Sequence, residues 1–231
     1  MGKERLPFFL KDTGPELAMS THALDHPLQP GDLAPNIVLD AISREGKIAL
    51  DDFRGQSPLL IGLFRGLHCA FCRRHVAAMA QLNPALREKG VQTLAVVNTP
   101  VERARLYFRY HPIPGLLAAS DPVRASHRAF GLPGVEADAV MSILIDLPGE
   151  LPQPMGVIEM DEFLNRKEGY EITEADQQMM TFEQEQLVGQ FLIDREGIVR
   201  WSFTEVLESG LQTFKAPNPG ELMSAASEVA T

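Results

Sequence analysis

The chain has 231 residues, 45% of them apolar, and a formal net charge of −10 from 31 acidic and 21 basic side chains. That is enough apolar matter for one large core, and the acidic balance argues against nucleic acid or an anionic membrane surface as a partner. No apolar run approaches the ~20 residues of a membrane span, and the run Leu6–Leu10 is too short for a signal-peptide core, so a reducing, cytoplasmic location is expected.

Residues 1–30 read as a lead-in carrying one short helix over Glu16–Leu24, with His22 and His26 at the surface. Asn36–Asp40 and Lys47–Leu50 read as two strands turning at Arg44-Glu45-Gly46. Leu59–Phe64 is apolar apart from Gly62 and has the length of a buried strand; it stops at Arg65-Gly66. Beyond it Cys72, Val76, Met79, Leu82 and Leu86 step by three or four residues, which predicts a helix to about Lys89, interrupted and bent at Asn83-Pro84 and ended by Gly90. Val91–Asn98 reads as a buried parallel strand, Pro100–Tyr110 as a helix, and Leu116–Ser120 as a short edge strand. A short helix follows Asp121-Pro122 as far as Phe130, with His127 at the surface or half-buried.

Residues 133–185 break the pattern, with four prolines and many acidic side chains. Val140–Leu147 fits one strand or a short helix, and Glu171–Gln186 an acidic helix. The apolar content is thin for an independent core, so the segment reads as an insertion within one domain, residues 31–231. Leu187–Asp194 and Ile198–Thr204 form a hairpin, and Pro219–Ala230 a last helix. The sum is an α/β chain: a mixed central sheet with helices on both faces and an insertion before the C-terminal hairpin.

The chemistry gathers at Cys69 and Cys72, the only cysteines, spaced Cys-x-x-Cys where a strand gives way to a helix. A thiol there faces free backbone N–H groups and the positive end of the helix dipole, which favour the nucleophilic thiolate. That placement is the pattern of a thioredoxin-like redox motif. A zinc ribbon needs a second Cys pair or a spaced His pair, and c-type haem attachment needs His where Arg73 stands. His68 and His75 flank the motif, but His68 is adjacent to Cys69 and poorly set to share a metal with it. The plain alternative is a pair of small buried hydrophobes, against which stand the polar Arg65, His68, Arg73 and Arg74 around them.

Several landmarks carry a family likeness. Leu60–Cys72, LIGLFRGLHCAFC, resembles the aromatic-Arg-Gly-x-Trp-Cys-Pro-x-Cys stretch of the peroxiredoxin-like branch of the AhpC/TSA group. Gly31-Asp32-Leu33-Ala34-Pro35, Ser120-Asp121-Pro122 with Phe130-Gly131-Leu132, and Gln190–Arg200 resemble its opening, middle and closing segments, so the likeness spans about residues 31–204. The resemblance implies a thioredoxin-like fold and reduction of peroxides by thiol chemistry. His68 and Ala70 stand where that branch has Trp and Pro. Set on the Pro-x-x-x-Thr-x-x-Cys of typical peroxiredoxins, Cys72 falls on the nucleophile, Cys69 on the Thr and Arg65 on the Pro. The strand opposite the motif has Gly189-Gln190 where a thioredoxin fold has proline.

The expected roles follow. Cys69, nearer the helix start, attacks a peroxide oxygen or a disulfide sulfur, and Cys72 closes the disulfide; the alternative alignment makes Cys72 the nucleophile. Arg65 supports the thiolate, or is a solvated turn residue. His68 orients or deprotonates Cys69, or fills the Trp position. Gln190 faces substrate across the fold, or is an ordinary strand residue, and Arg73 faces water. The expected partners are a peroxide or disulfide substrate, a thiol reductant such as thioredoxin or glutathione, and a second copy in a homodimer; no cofactor is called for. Three functions compete: a thiol peroxidase, a dithiol–disulfide oxidoreductase, and a non-enzymatic binding module using the insertion as its contact surface.

Overall fold

A computed structural model describes residues 24, 26–180, 186–207, 210–213 and 216–230. The helix expected over Glu16–Leu24 lies almost wholly outside them, with His22; His26 is exposed. In chain order the elements are β1 (Val38–Ala41), β2 (Lys47–Ala49), a 3-10 turn (Leu50–Asp52), β3 (Leu59–Phe64), α1 (Ala70–Glu88), β4 (Gln92–Val97), α2 (Val101–Tyr110), β5 (Leu117–Ser120) and α3 (Ala125–Ala129). Then come α4 (Ala137–Met141), β6 (Ile143–Ile145), β7 (Met155–Gly156), α5 (Val157–Glu168), α6 (Glu174–Met179), β8 (Gly189–Ile193), β9 (Val199–Thr204), β10 (Gly210–Gln212) and α7 (Pro219–Val229).

Seven strands form one mixed sheet in the order β2-β1-β5-β4-β3-β8-β9. β3 lies parallel to β4 and antiparallel to β8, and all six of its residues are buried. This is why its run is apolar without alternation: both faces of the strand meet protein. Leu60 and Phe64 pack with Val76, Met79 and Leu86 of α1, while Leu59, Ile61 and Leu63 pack on the other face with Phe130 and Phe191. Gly62 permits the close approach of α1. A Cβ there would fall on the Phe64 ring and within 2.7 Å of the Met79 sulfur.

The architecture is the mixed α/β sheet, helix-covered on both faces, that the sequence predicts, with three differences. β5 is interior rather than an edge, because the N-terminal hairpin docks on it through Asp40↔Ser120 and Ala41↔Ala119. α1 runs unbroken through Pro84, and Asn83 beside it is buried, accepting from Thr93 Oγ1 at 2.7 Å. Val140–Leu147 is divided between the end of α4 and β6.

The segment 133–185 supplies α4, β6, β7, α5 and α6. β6 and β7 form a small second sheet, completed by β10, which pairs parallel to β6 from beyond the hairpin. Ile143, Ile145, Met155, Met160 and Leu164 belong to the same apolar cluster as Phe64, Cys72 and Val76. The inserted segment therefore packs directly onto the motif side of the sheet. Among the described residues no helix is long and apolar enough to cross a membrane.

Candidate functional site

β3 delivers the chain at Phe64 into a tight loop, Arg65–Cys69, that leads into α1. Thr99 Oγ1, at the end of the neighbouring strand, accepts the Leu67 N–H at 2.7 Å and fixes the loop. Gly66 is required where it stands: a Cβ there would lie 2.5 Å from His68 Nδ1. His68 is itself buried, 4% exposed.

Cys69 is the N-cap residue of α1, with extended backbone (φ −75°, ψ 114°), and its sulfur accepts the Cys72 N–H at 3.3 Å. A sulfur thus does the work usually given to a Ser or Asp oxygen at a helix start, and a thiolate does it better than a thiol. Both cysteines are free thiols; Cys69 is 8% exposed and Cys72 fully buried. A hydrogen bond from the Cys72 thiol, outweighing burial and helped by the Arg65 charge and by His68, brings the Cys69 thiol down to about 7, with Asp161 opposing. Burial, then the hydrogen bond to Cys69 and the charge that Cys69 carries, push Cys72 well up. Of the two, Cys69 is the one poised as a thiolate near neutral pH, and Cys72 keeps its proton.

Arg65 is not a solvated turn residue. Its guanidinium lies 4.0 Å from the Cys69 sulfur and makes two hydrogen bonds to Glu205, at 2.6 and 3.1 Å. Glu205 in turn accepts the Val188 N–H at 3.1 Å. Glu205 leaves the end of β9, so the Arg65–Glu205 pair bridges the motif to the closing hairpin. The geometry lets Arg65 stabilise negative charge on Cys69 while its own charge is balanced in a poorly solvated place.

Arg73 corrects the expectation that it faces water. It is 7% exposed, donates to the Leu67 and His68 carbonyls at 2.7 and 3.2 Å, pairs with Glu168, and lies over the Tyr170 ring at 4.5 Å. The carboxylate that allows its burial comes from α5 in the insertion, 95 residues away. His127, expected at or near the surface, is fully buried in α3, and burial pushes it down to about 3. His75 stacks on Phe64 with ring centroids 5.7 Å apart and is pushed down by burial to about 4. His75 therefore points into the core rather than joining His68 at a metal, and among the described residues no group of three His, Cys, Asp or Glu is set to hold one.

Gln190 is buried, 3% exposed, in register with Gly62 and Phe203. That register sets it two residues further from the motif than Val188, whose N–H meets Glu205. The hydrogen bonds to the Cys69 sulfur come from Cys72 and Arg65. A groove of ≈ 610 Å³ between α1, α2 and the end of α5 includes Arg73, Arg103, Tyr107 and Tyr170 in its walls. It adjoins the motif through Arg73, and neither cysteine lines it.

The structure thus gathers Arg65, His68, Cys69 and Cys72 and adds Glu205, Asp161 and Asn165, which the sequence reading does not single out. No local motif marks those three. Glu205 could be found only by placing the closing hairpin beside β3, since it pairs across 140 residues.

The sequence pattern of the AhpC/TSA family matches residues 30–202. No curated protein matches the chain. Solved structures share the fold at low identity. One is a thiol peroxidase from Chromobacterium violaceum (10% identity, covering 89% of this chain and 90% of that one, TM-score 0.57). Another is a reduced 2-Cys peroxiredoxin from Plasmodium vivax (15%, 87% and 81%, 0.54). A third is a Chlorobium tepidum chain named as a thiol:disulfide interchange protein, DsbE (19%, 88% and 99%, 0.54).

Proposed function

We propose that this chain, which belongs to the AhpC/TSA family, is a thiol peroxidase in which Cys69 attacks and Cys72 resolves. The observation that carries the reading is the setting of the Cys69 sulfur: capped by the Cys72 N–H, 4.0 Å from the Arg65 guanidinium, and on the one of the two cysteines that keeps any exposed surface.

The Cys69 thiolate attacks the terminal oxygen of a hydroperoxide. The O–O bond breaks, an S–O bond forms, and the leaving alkoxide or hydroxide takes a proton to give an alcohol or water. Cys69 is then a sulfenic acid. Cys72, three residues along in the first turn of α1, attacks that sulfur; an S–S bond forms, the S–O bond breaks, and hydroxide leaves and takes up the Cys72 proton as water. Two electrons have passed from the pair of thiols to the peroxide. An external thiol, of the thioredoxin or glutathione class, returns them by exchange through a mixed disulfide. Arg65 lowers the energy of the thiolate and of the charge developing on the peroxide oxygens. His68 supports the same sulfur from the loop. Gln190 supports the sheet beneath the site rather than touching substrate. A catalytic Cys pair reset by thiols suits a reducing compartment such as the cytoplasm.

The second reading is a dithiol–disulfide oxidoreductase, with the same pair exchanging with protein or small-molecule disulfides. It is favoured by one observation: Cys69 occupies the place of the Thr hydroxyl that orients peroxide in typical peroxiredoxins, so no hydroxyl stands there. Stopped-flow oxidation of the reduced protein by hydrogen peroxide separates the two. A rate constant orders of magnitude above that of free cysteine thiolate supports the peroxidase; one no greater supports disulfide exchange.

A further inference from the structure

α5 of the insertion reaches back to the first turn of α1. Asp161 Oδ1 accepts the Ala70 N–H at 2.9 Å, one of the free donors of that helix start. Its second oxygen accepts from Asn165 Nδ2 at 3.0 Å, and the same amide donates to the His68 carbonyl at 3.0 Å. Two N–H groups aimed at the two oxygens is the setting of a carboxylate rather than a carboxylic acid. Burial pushes the Asp161 carboxyl up from its ordinary value, and the Ala70 N–H with the charges of His68, Arg73 and Arg65 holds it down; as the carboxylate it is an anion beside a second anion, the Cys69 thiolate, on the same helix terminus.

We propose that Asp161 is a positioning residue for the reactive thiol: it caps the Ala70 N–H, holds the motif loop to the insertion, and restrains how much negative charge Cys69 carries. The inference rests on Cys69 being the reactive thiol. It gives the insertion a role at the chemistry itself, as the source of a charge that the family's motif positions do not supply. Every charged group facing the site enters the balance. Arg65 and His68 favour the Cys69 thiolate, Asp161 opposes it, Cys72 donates to it, and Glu205 acts through Arg65. Arg73, with Glu168, faces Asp161 from α1. A like charge nearby disfavours ionisation, so removing Asp161's charge increases the Cys69 thiolate. A purely structural cap would do the reverse, since losing a helix-start contact loosens the turn that favours the thiolate.

The sign of the effect is the test. Reduced full-length protein is alkylated with iodoacetamide at pH 6, and the site of modification is read by peptide mass spectrometry. Asp161→Asn keeps an oxygen for the Ala70 N–H and removes the charge; the rate at Cys69 rises about three- to fivefold, as a shift of half to one pH unit requires for a thiol that starts at about 7. Asp161→Glu keeps the charge and stays near the parent rate. Should the amide fail to pack, Asp161→Ser removes the charge in less volume and gives the same rise. An unchanged or slower rate in the uncharged variants that fold overturns the proposal while leaving Cys69 as the nucleophile. Alkylation of Cys72 before Cys69 in the parent protein overturns the catalytic reading beneath it, which is a separate result.

Discussion

Replacing Arg65 by Met should separate reactivity from stability at this site. The guanidinium stands 4.0 Å from the Cys69 sulfur, and a unit charge pair at that distance interacts by about 4 kcal/mol at an effective dielectric of about 20. Glu205, hydrogen-bonded to the same guanidinium at 2.6 and 3.1 Å, offsets much of that. If about 1.4 kcal/mol survives, the Cys69 thiol rises by about one pH unit, and the thiolate at pH 7 falls from about a half to about a tenth. The substitution also strands the Glu205 carboxylate. The two side chains keep only 11% and 18% exposure, so the loss of stability should be about 2–3 kcal/mol, somewhat below that for a fully buried pair. Arg65→Met with Glu205→Gln removes the stranded charge and should recover most of the stability while the slow alkylation of Cys69 persists. Urea unfolding and mapped iodoacetamide alkylation at pH 7 measure the two effects side by side. Parent-like reactivity in the single variant, or reactivity recovering along with stability in the double variant, would refute the assignment of Arg65 to the thiolate.

Three further outcomes follow from the same structure. In Cys72→Ser, one equivalent of peroxide should leave a sulfenic acid on Cys69 that persists, and a second equivalent should over-oxidise it, while Cys69→Ser should react at no more than a buried-thiol rate; sulfenate formation in Cys69→Ser as fast as in the parent would make Cys72 the nucleophile. Gly62→Ala forces a methyl onto the Phe64 ring and the Met79 sulfur and should cost about 1–3 kcal/mol in urea unfolding; an unaltered midpoint would show that α1 yields freely there. Burial holds His75 and His127 neutral, at about 4 and about 3. The unfolded chain binds protons at these residues from about pH 6.5 downward while the fold resists them. Their contribution is therefore complete above that pH and is lost as pH falls towards 4. Together they should remove about 4 kcal/mol between pH 7 and pH 5, at about 1.4 kcal/mol per group for each pH unit below 6.5. Equal urea midpoints at the two pH values would contradict their neutral burial.

What the sequence made legible was what is local. β3 announces itself because both its faces are covered, so every position is apolar or Gly; the helix after it shows in the three-and-four spacing of Cys72, Val76, Met79 and Leu86. The motif's chemistry is equally local, since the donor that caps Cys69 is three residues away. What the sequence hid was set by partners far along the chain. Arg73 looked like a charge for solvent because Glu168 and Tyr170 lie in a segment with no recognisable pattern. Arg65 found Glu205 across 140 residues, and Ala70 found Asp161 across 91. β5 looked like an edge because nothing in Leu116–Ser120 says that β1 will pair with it. His127 lies in a short helix whose five residues show no apolar stripe, so its burial had no local signal.

The most direct test of the account is mass spectrometry of the reduced protein after one equivalent of hydrogen peroxide. It should become lighter by two hydrogens, and digestion should recover Cys69 and Cys72 in one disulfide-linked state, with sulfenate trapped on Cys69 at early times. Sulfenate trapped first on Cys72, or a protein that leaves the peroxide unconsumed, would contradict it.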